Sequence, residues 1–287
     1  MVIILLSELQ RNAIMAVGIL SVSIWTFIIL MSFINVQIPP SPPLVVVEEP
    51  TVGAENSPSP YINTLVVLII LAIGGTTFIA ILLYVPRIAS YISIVVFGLV
   101  SFFSLTLYAL LLSYRLGIQI ESEITLLCLF LAAVLTWLIR KGGGALPLLS
   151  ASITAAAGGV LIGSMLPPVT ALILLLAISL FDLLMVKKGY LSMLGKEELR
   201  DRIALIKGMI VNFNHLTIGL GDLVFYSILV SNIYFQSGFL PALLSNIGVF
   251  IGFSITLMFL KRHSAVPGLT IPILLGLFLA TIGQLLL

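Results

Sequence analysis

The 287 residues are 60% hydrophobic and only 8% charged, with a mean hydropathy of +1.27. A soluble domain carries about 25% charged residues, so the bilayer must be the solvent for much of this chain. A net charge of +2 gives no electrostatic footprint for nucleic acid, and the single cysteine, Cys128, cannot form an intrachain disulfide.

A helix crosses the hydrocarbon core with about 20 residues. The apolar runs predict spans over 12–34, 62–84, 88–112, 122–139, 144–165, 168–186, 209–231, 239–260 and 267–286. The first begins after Arg11 and shows no small-residue cleavage site before the Pro-rich segment, so it reads as a span and not as a cleavable signal. Residues 35–61 hold Glu48, Glu49 and Glu55 among several prolines and read as an acidic, irregular outer segment. Only Met165-Leu166-Pro167-Pro168 divides the fifth and sixth spans, which requires a tight turn.

With the N-terminus in the cytoplasm, the inner segments hold 12 of the 13 basic residues, leaving Arg115 outside. That bias predicts an all-α polytopic membrane protein with nine transmembrane helices, N-terminus cytoplasmic and C-terminus extracytoplasmic. Spans one to six form an N-terminal part, 1–190, and spans seven to nine a C-terminal part, 209–287. Between them, 191–208 has apolar residues near helical spacing with charges interleaved, and reads as a cytoplasmic interfacial amphipathic linker.

Nine of the 11 acidic residues lie in loops or near span ends, whereas Asp182 and Asp222 lie within spans six and seven. A carboxylate at depth costs about 2.5–3.5 kcal/mol on insertion scales and faces a bundle interior or a water-filled cavity. Asp182 precedes Lys187 by five residues and so lies about 7–8 Å inside the boundary. Asp222 lies 15 residues beyond Lys207, which a straight helix would carry more than about 20 Å deep. The two depths agree if the start of span seven is frayed, tilted or outside the core, and the polar Asn212, Asn214 and His215 suit a wet start. Gly219 and Gly221 flank the second carboxylate, weaken the helix and let another backbone approach.

Two carboxyls a few Å apart share one proton. The ionised member takes a proton from water attacking a peptide carbonyl, while the protonated member donates to the carbonyl oxygen. This chemistry needs no cofactor. His215 and His263 belong to no coordinating cluster, so no metal site is expected. A third element, Pro267-Gly268-Leu269, opens the last span on the same side, and Pro272 leaves a further backbone carbonyl free. Pro241-Ala242-Leu243, on the outer side, reads as an ordinary helix start.

Gly219-Leu220-Gly221-Asp222 followed by Phe225-Tyr226-Ser227 resembles the GxGD motif of the seventh span of presenilins. Phe181-Asp182 resembles their YD motif with Phe for Tyr, and Pro267-Gly268-Leu269 their PAL motif with Gly for Ala. The resemblance implies an intramembrane aspartyl endopeptidase with Asp182 and Asp222 as catalytic pair. Phe181, Gly219, Leu220, Gly221, Pro267, Gly268 and Leu269 would support the active site. Phe181 lacks the tyrosine hydroxyl and Gly268 alters the freedom of its segment, but neither removes a catalytic group, so activity is expected to be retained. Substrates would be single-span helices unwound before the cut, and the short connection between spans six and seven implies no self-cleavage. Signal peptide peptidase is a more distant relative of opposite orientation. The compact chain resembles microbial homologues that act alone or as homo-oligomers without evident accessory subunits, which implies a microbial cell membrane.

Two other readings compete. Asp182 alone is also consistent with a structural carboxylate bonded to a serine or threonine on a neighbouring helix. Paired membrane aspartates also suit a transporter or cation-conducting protein, although no internal repeat is visible. Phe225 and Tyr226 are consistent with either an active-site lining or a core position, and Gly158, Gly159 and Gly163 are expected to permit close helix packing.

Overall fold

The computed structural model describes residues 2–35, 44–50, 53–118, 122–141, 144–187, 206–213, 216–260 and 266–287. The helices are α1 (Val2–Ile34), α2 (Ser59–Tyr84), α3 (Pro86–Leu116), α4 (Ser122–Arg140), α5 (Ala145–Met165), α6 (Pro168–Lys187), α7 (Leu220–Ser237), α8 (Phe239–Leu260) and α9 (Thr270–Leu285). A hairpin of β1 (Ile210–Phe213) and β2 (Leu216–Gly219) precedes α7. Seven helices, α1 to α6 and α8, are long and apolar enough to cross a membrane, and α9 is a shorter apolar helix of 16 residues. The protein is therefore a polytopic, largely α-helical integral membrane protein.

Helix ends follow local chemistry. Val85, held at φ −140° ahead of Pro86, breaks α2 from α3, and Pro86 starts α3 where a missing N–H costs nothing. Gly117 closes α3 at φ 66° with the paired Gly117–Tyr114 and Ile118–Ser113 backbone bonds of a Schellman end. The turn between α5 and α6 is as tight as expected, since α5 ends at Met165 and α6 begins at Pro168. Asn232 of α7 caps that turn, donating to Gly163 O (2.9 Å) and Leu166 O (2.8 Å). Residues 46–49 are pinned as well. Buried Asn63 of α2 accepts from the Val46 and Val47 amides and donates to Val47 O, while Glu49 accepts from the amide and hydroxyl of Thr170 at the start of α6.

The core is organised around α5. Sixty-seven per cent of its span is buried inside the protein, against 6% for α2. Small residues make this possible. A Cβ on Gly159 would meet Ser227 and Val224 O of α7 at 2.5 and 2.8 Å, and one on Gly163 would overlap Ser231. These glycines permit the close packing expected of them. Gly248 and Gly252 of α8 do the same against α9, where a Cβ on Gly252 would sit 2.5 Å from Pro272 Cα.

One expectation requires correction. Residues 209–231 do not form one helix, because Ile210–Phe213 and Leu216–Gly219 pair as antiparallel strands and the helix runs Leu220–Ser237. The cause is local: the strands are rich in β-branched and aromatic residues (Ile210, Val211, Phe213, Thr217, Ile218), and the opposed pair Val211 and Ile218 is buried. The amphipathic helix expected over 191–208 lies outside the described residues except for Ile206–Gly208, which are not helical. Asn214 and His215 also lie outside them.

The glycine contacts generate a stability test. Gly252→Ala is expected to cost about 1–3 kcal/mol by forcing backbone apart and to lower the midpoint of thermal unfolding in detergent. Gly74→Ala, where nothing lies within 4 Å of the added Cβ, is expected to leave it unchanged.

Candidate active site

The hairpin resolves the depth mismatch of the two aspartates. Asp182 lies five residues before the end of α6, and Asp222 is the third residue of α7. The two helices are joined at this end of the bundle, and Ile210–Phe213 and Leu216–Gly219 are strands instead of helix. Both carboxyls therefore stand near the same end. Gly219 is the residue before the first turn of α7, and its N–H donates to the Asp222 carboxyl. This is the backward half of a capping box, in which the third helical residue satisfies the backbone donor at the helix start.

The Pro267–Leu269 segment joins the two. The Leu269 N–H donates to Asp182 Oδ2 at 2.8 Å. A Cβ built on Gly268 would lie 3.1 Å from Asp222 Oδ2. One carboxyl therefore bonds the Gly268–Leu269 peptide and the other lies against its glycine. Thr270 anchors the segment to α6 by donating its hydroxyl to Ser179 O at 2.8 Å, one turn before Asp182. Tyr226, four residues after Asp222, donates its hydroxyl to Gly268 O at 2.7 Å. Leu269 is buried, as are Tyr226, Ser179 and Thr270.

The other candidate residues divide. Gly221 is exposed, and a Cβ there would meet nothing within 4 Å, so space is open beside Asp222. A Cβ on Gly219 would lie 3.5 Å from Asp222 Oδ2, an ordinary contact. Leu220 is half-buried against the main core. Phe181 is 53% exposed and stands on the outer surface of α6. Pro241 packs under Gly283 near the start of α8, at the far end of the bundle from residues 266–269. Among the described residues no three His, Cys, Asp or Glu side chains gather as a metal site requires.

Ser179 and Thr270 carry no signal in the sequence, where Tyr226 is consistent with an active-site lining or a core position. Pro272 carried a signal for Tyr226. A helical residue at 272 would give its N–H to the carbonyl four residues back, which is that of Gly268. Proline cannot, and the tyrosine hydroxyl fills the vacancy.

No family model and no curated protein sequence matches the chain. Solved structures do. A presenilin-family intramembrane aspartate protease in a C222 crystal form aligns with a TM-score of 0.63 at 17% identity, covering 96% of this chain and 98% of that one. The P2 form of a presenilin-family intramembrane aspartate protease aligns with a TM-score of 0.61 at 16% identity, covering 96% and 97%. The chain thus shares, over nearly its whole length, the fold of a presenilin-family intramembrane aspartate protease.

The Leu269 contact predicts unequal effects of two substitutions. Asp182→Ala strips a buried amide of its acceptor and is expected to cost about 1–3 kcal/mol of stability. Asp182→Asn keeps an oxygen in place and is expected to cost less than about 1 kcal/mol, both measured by thermal unfolding in one detergent.

Proposed function

We propose that the chain is an intramembrane aspartyl endopeptidase that hydrolyses peptide bonds within or near single-span transmembrane helices, with Asp182 and Asp222 as its catalytic pair. The observation that carries this reading is the meeting of both carboxyls on the Gly268–Leu269 segment. The shared fold supports it. One carboxyl, ionised, removes a proton from the attacking water, and the other, protonated, donates to the carbonyl oxygen of the scissile bond. The roles then reverse as the tetrahedral intermediate collapses and the amine leaves, so no covalent intermediate with the protein is required.

The surroundings of the pair suit such a substrate. In the proposed topology all nine helices span, the N-terminus is cytoplasmic and the pair lies toward the cytoplasmic side. Helix α9, with 16 residues, rises about 24 Å, short of the roughly 30 Å core. The site end of the bundle is completed by 266–269 and the hairpin, and non-helical backbone at that depth is tolerated where it is buried or lines a wet cavity. A scissile bond inside a helix is shielded by its own hydrogen bonds and must be unwound. An extended segment pairing with a hairpin strand would regain those bonds, and β2 ends at Gly219, beside Asp222. The open space next to Gly221 leaves room for its backbone. The proposed partners are membrane-spanning substrates and lipid.

In liposomes carrying a single-span reporter, Asp182→Asn and Asp222→Asn are each expected to reduce cleavage by at least about 10³-fold, since each removes a group that holds or moves the reacting proton. Cleavage that persists in either variant contradicts the two-aspartate mechanism, and aspartate-dependent ion flux without cleavage would favour a transporter.

A further inference from the structure

The peptide group that receives Asp182 through its N–H is also held through its carbonyl. We propose that Tyr226 is a positioning residue for the aspartate pair: its hydroxyl fixes the plane of the Gly268–Leu269 peptide and, through that peptide's N–H, the Asp182 carboxyl. The proposal rests on the protease reading above and adds to it a residue whose hydroxyl bonds the peptide beside the pair.

Four observations carry it. The Tyr226 hydroxyl donates to Gly268 O at 2.7 Å, and the N–H of the same peptide group donates to Asp182 Oδ2 at 2.8 Å. A peptide group is planar, so fixing its oxygen fixes the direction of its N–H. The tyrosine itself has no freedom: it is fully buried, and its ring packs edge-on against Phe253, with centroids 6.5 Å apart and planes at 82°. The carbonyl needs this donor, because Pro272 lacks the N–H that would otherwise bond it.

The arrangement links the two halves of the pair. Asp222 and Tyr226 are four residues apart and project from one face of α7. One helix face therefore presents one carboxyl directly and orients the other through a single peptide of the segment before α9. Gly268 lies against Asp222 as well, with its built Cβ 3.1 Å from Oδ2, so a rotation of this peptide changes the space on both sides of the pair. A tyrosine that served only to fill the core would have its hydroxyl satisfied by any carbonyl. Here the acceptor belongs to a peptide that itself bonds Asp182, next to the Thr270 backbone and side chain that bond the same carboxyl.

Tyr226→Phe removes only the hydroxyl. In the full chain reconstituted with a single-span reporter, kcat is expected to fall about five- to tenfold, the worth of one hydrogen bond in the transition state, with KM within about twofold of wild type. Without substrate, hydrogen–deuterium exchange at the Leu269 amide is expected to accelerate by a similar factor. Adding Pro272→Ala to Tyr226→Phe returns a main-chain donor to Gly268 O and is expected to restore most of the lost rate. An unchanged kcat, or an unchanged Leu269 exchange, in Tyr226→Phe overturns the proposal. Wild type that cleaves no reporter overturns the protease reading instead, and the exchange measurement still decides whether Tyr226 holds the peptide.

Discussion

The hydrogen bond from the Leu269 amide to Asp182 is the contact on which the arrangement of this end of the molecule depends. A carboxyl group among apolar helices needs a partner, and a backbone amide at a helix start needs an acceptor. Each satisfies the other. The bond ties the segment before α9 to α6, Thr270 reinforces it through Ser179, and Tyr226 ties the same peptide to α7. Three helices are thereby fixed around the two aspartates by polar contacts within a few residues of one another.

The scaffold behind them works by close approach. The glycine pairs of α5 and α8 bring backbones together where any side chain would hold them apart, and the serines and Asn232 of α7 bond across the α5 contact or back along their own helix. In lipid there is little hydrophobic drive for helices to associate, so packing of small residues and interhelical hydrogen bonds must supply it. Rigidity on this side contrasts with α2, which buries little of its surface and is held chiefly through Asn63 and its contacts with α3 and α6.

Much of this was legible in the residues. Apolar runs and proline punctuation located seven helices within about four residues of their observed limits, whereas α1 begins ten residues before the expected start, and the rarity of acids within the spans singled out Asp182 and Asp222. Pro272 pointed to a free carbonyl, although not to the hydroxyl that takes it. The seventh span was misread because a short apolar stretch does not distinguish helix from strand by hydrophobicity alone. Ile210-Val211 and Thr217-Ile218 belong to a hairpin whose buried cross-strand pair exists only once the chain has turned back. Phe181 is expected at the site because Phe181-Asp182 resembles the YD motif; it follows Leu180 and precedes Asp182 on a helix whose successive residues diverge by about 100°, and its ring is exposed. Tyr226 is equally consistent with core in the sequence because its hydroxyl's acceptor lies 42 residues away.

The central claim is that water, activated between two aspartates, cuts a peptide bond inside the membrane. The most direct measurement is mass spectrometry of a single-span reporter incubated with the reconstituted wild-type protein in ¹⁸O-water. The account predicts fragments with new termini within the span and one ¹⁸O in the new carboxylate. A reporter recovered intact, under conditions where the protein remains folded, would contradict it.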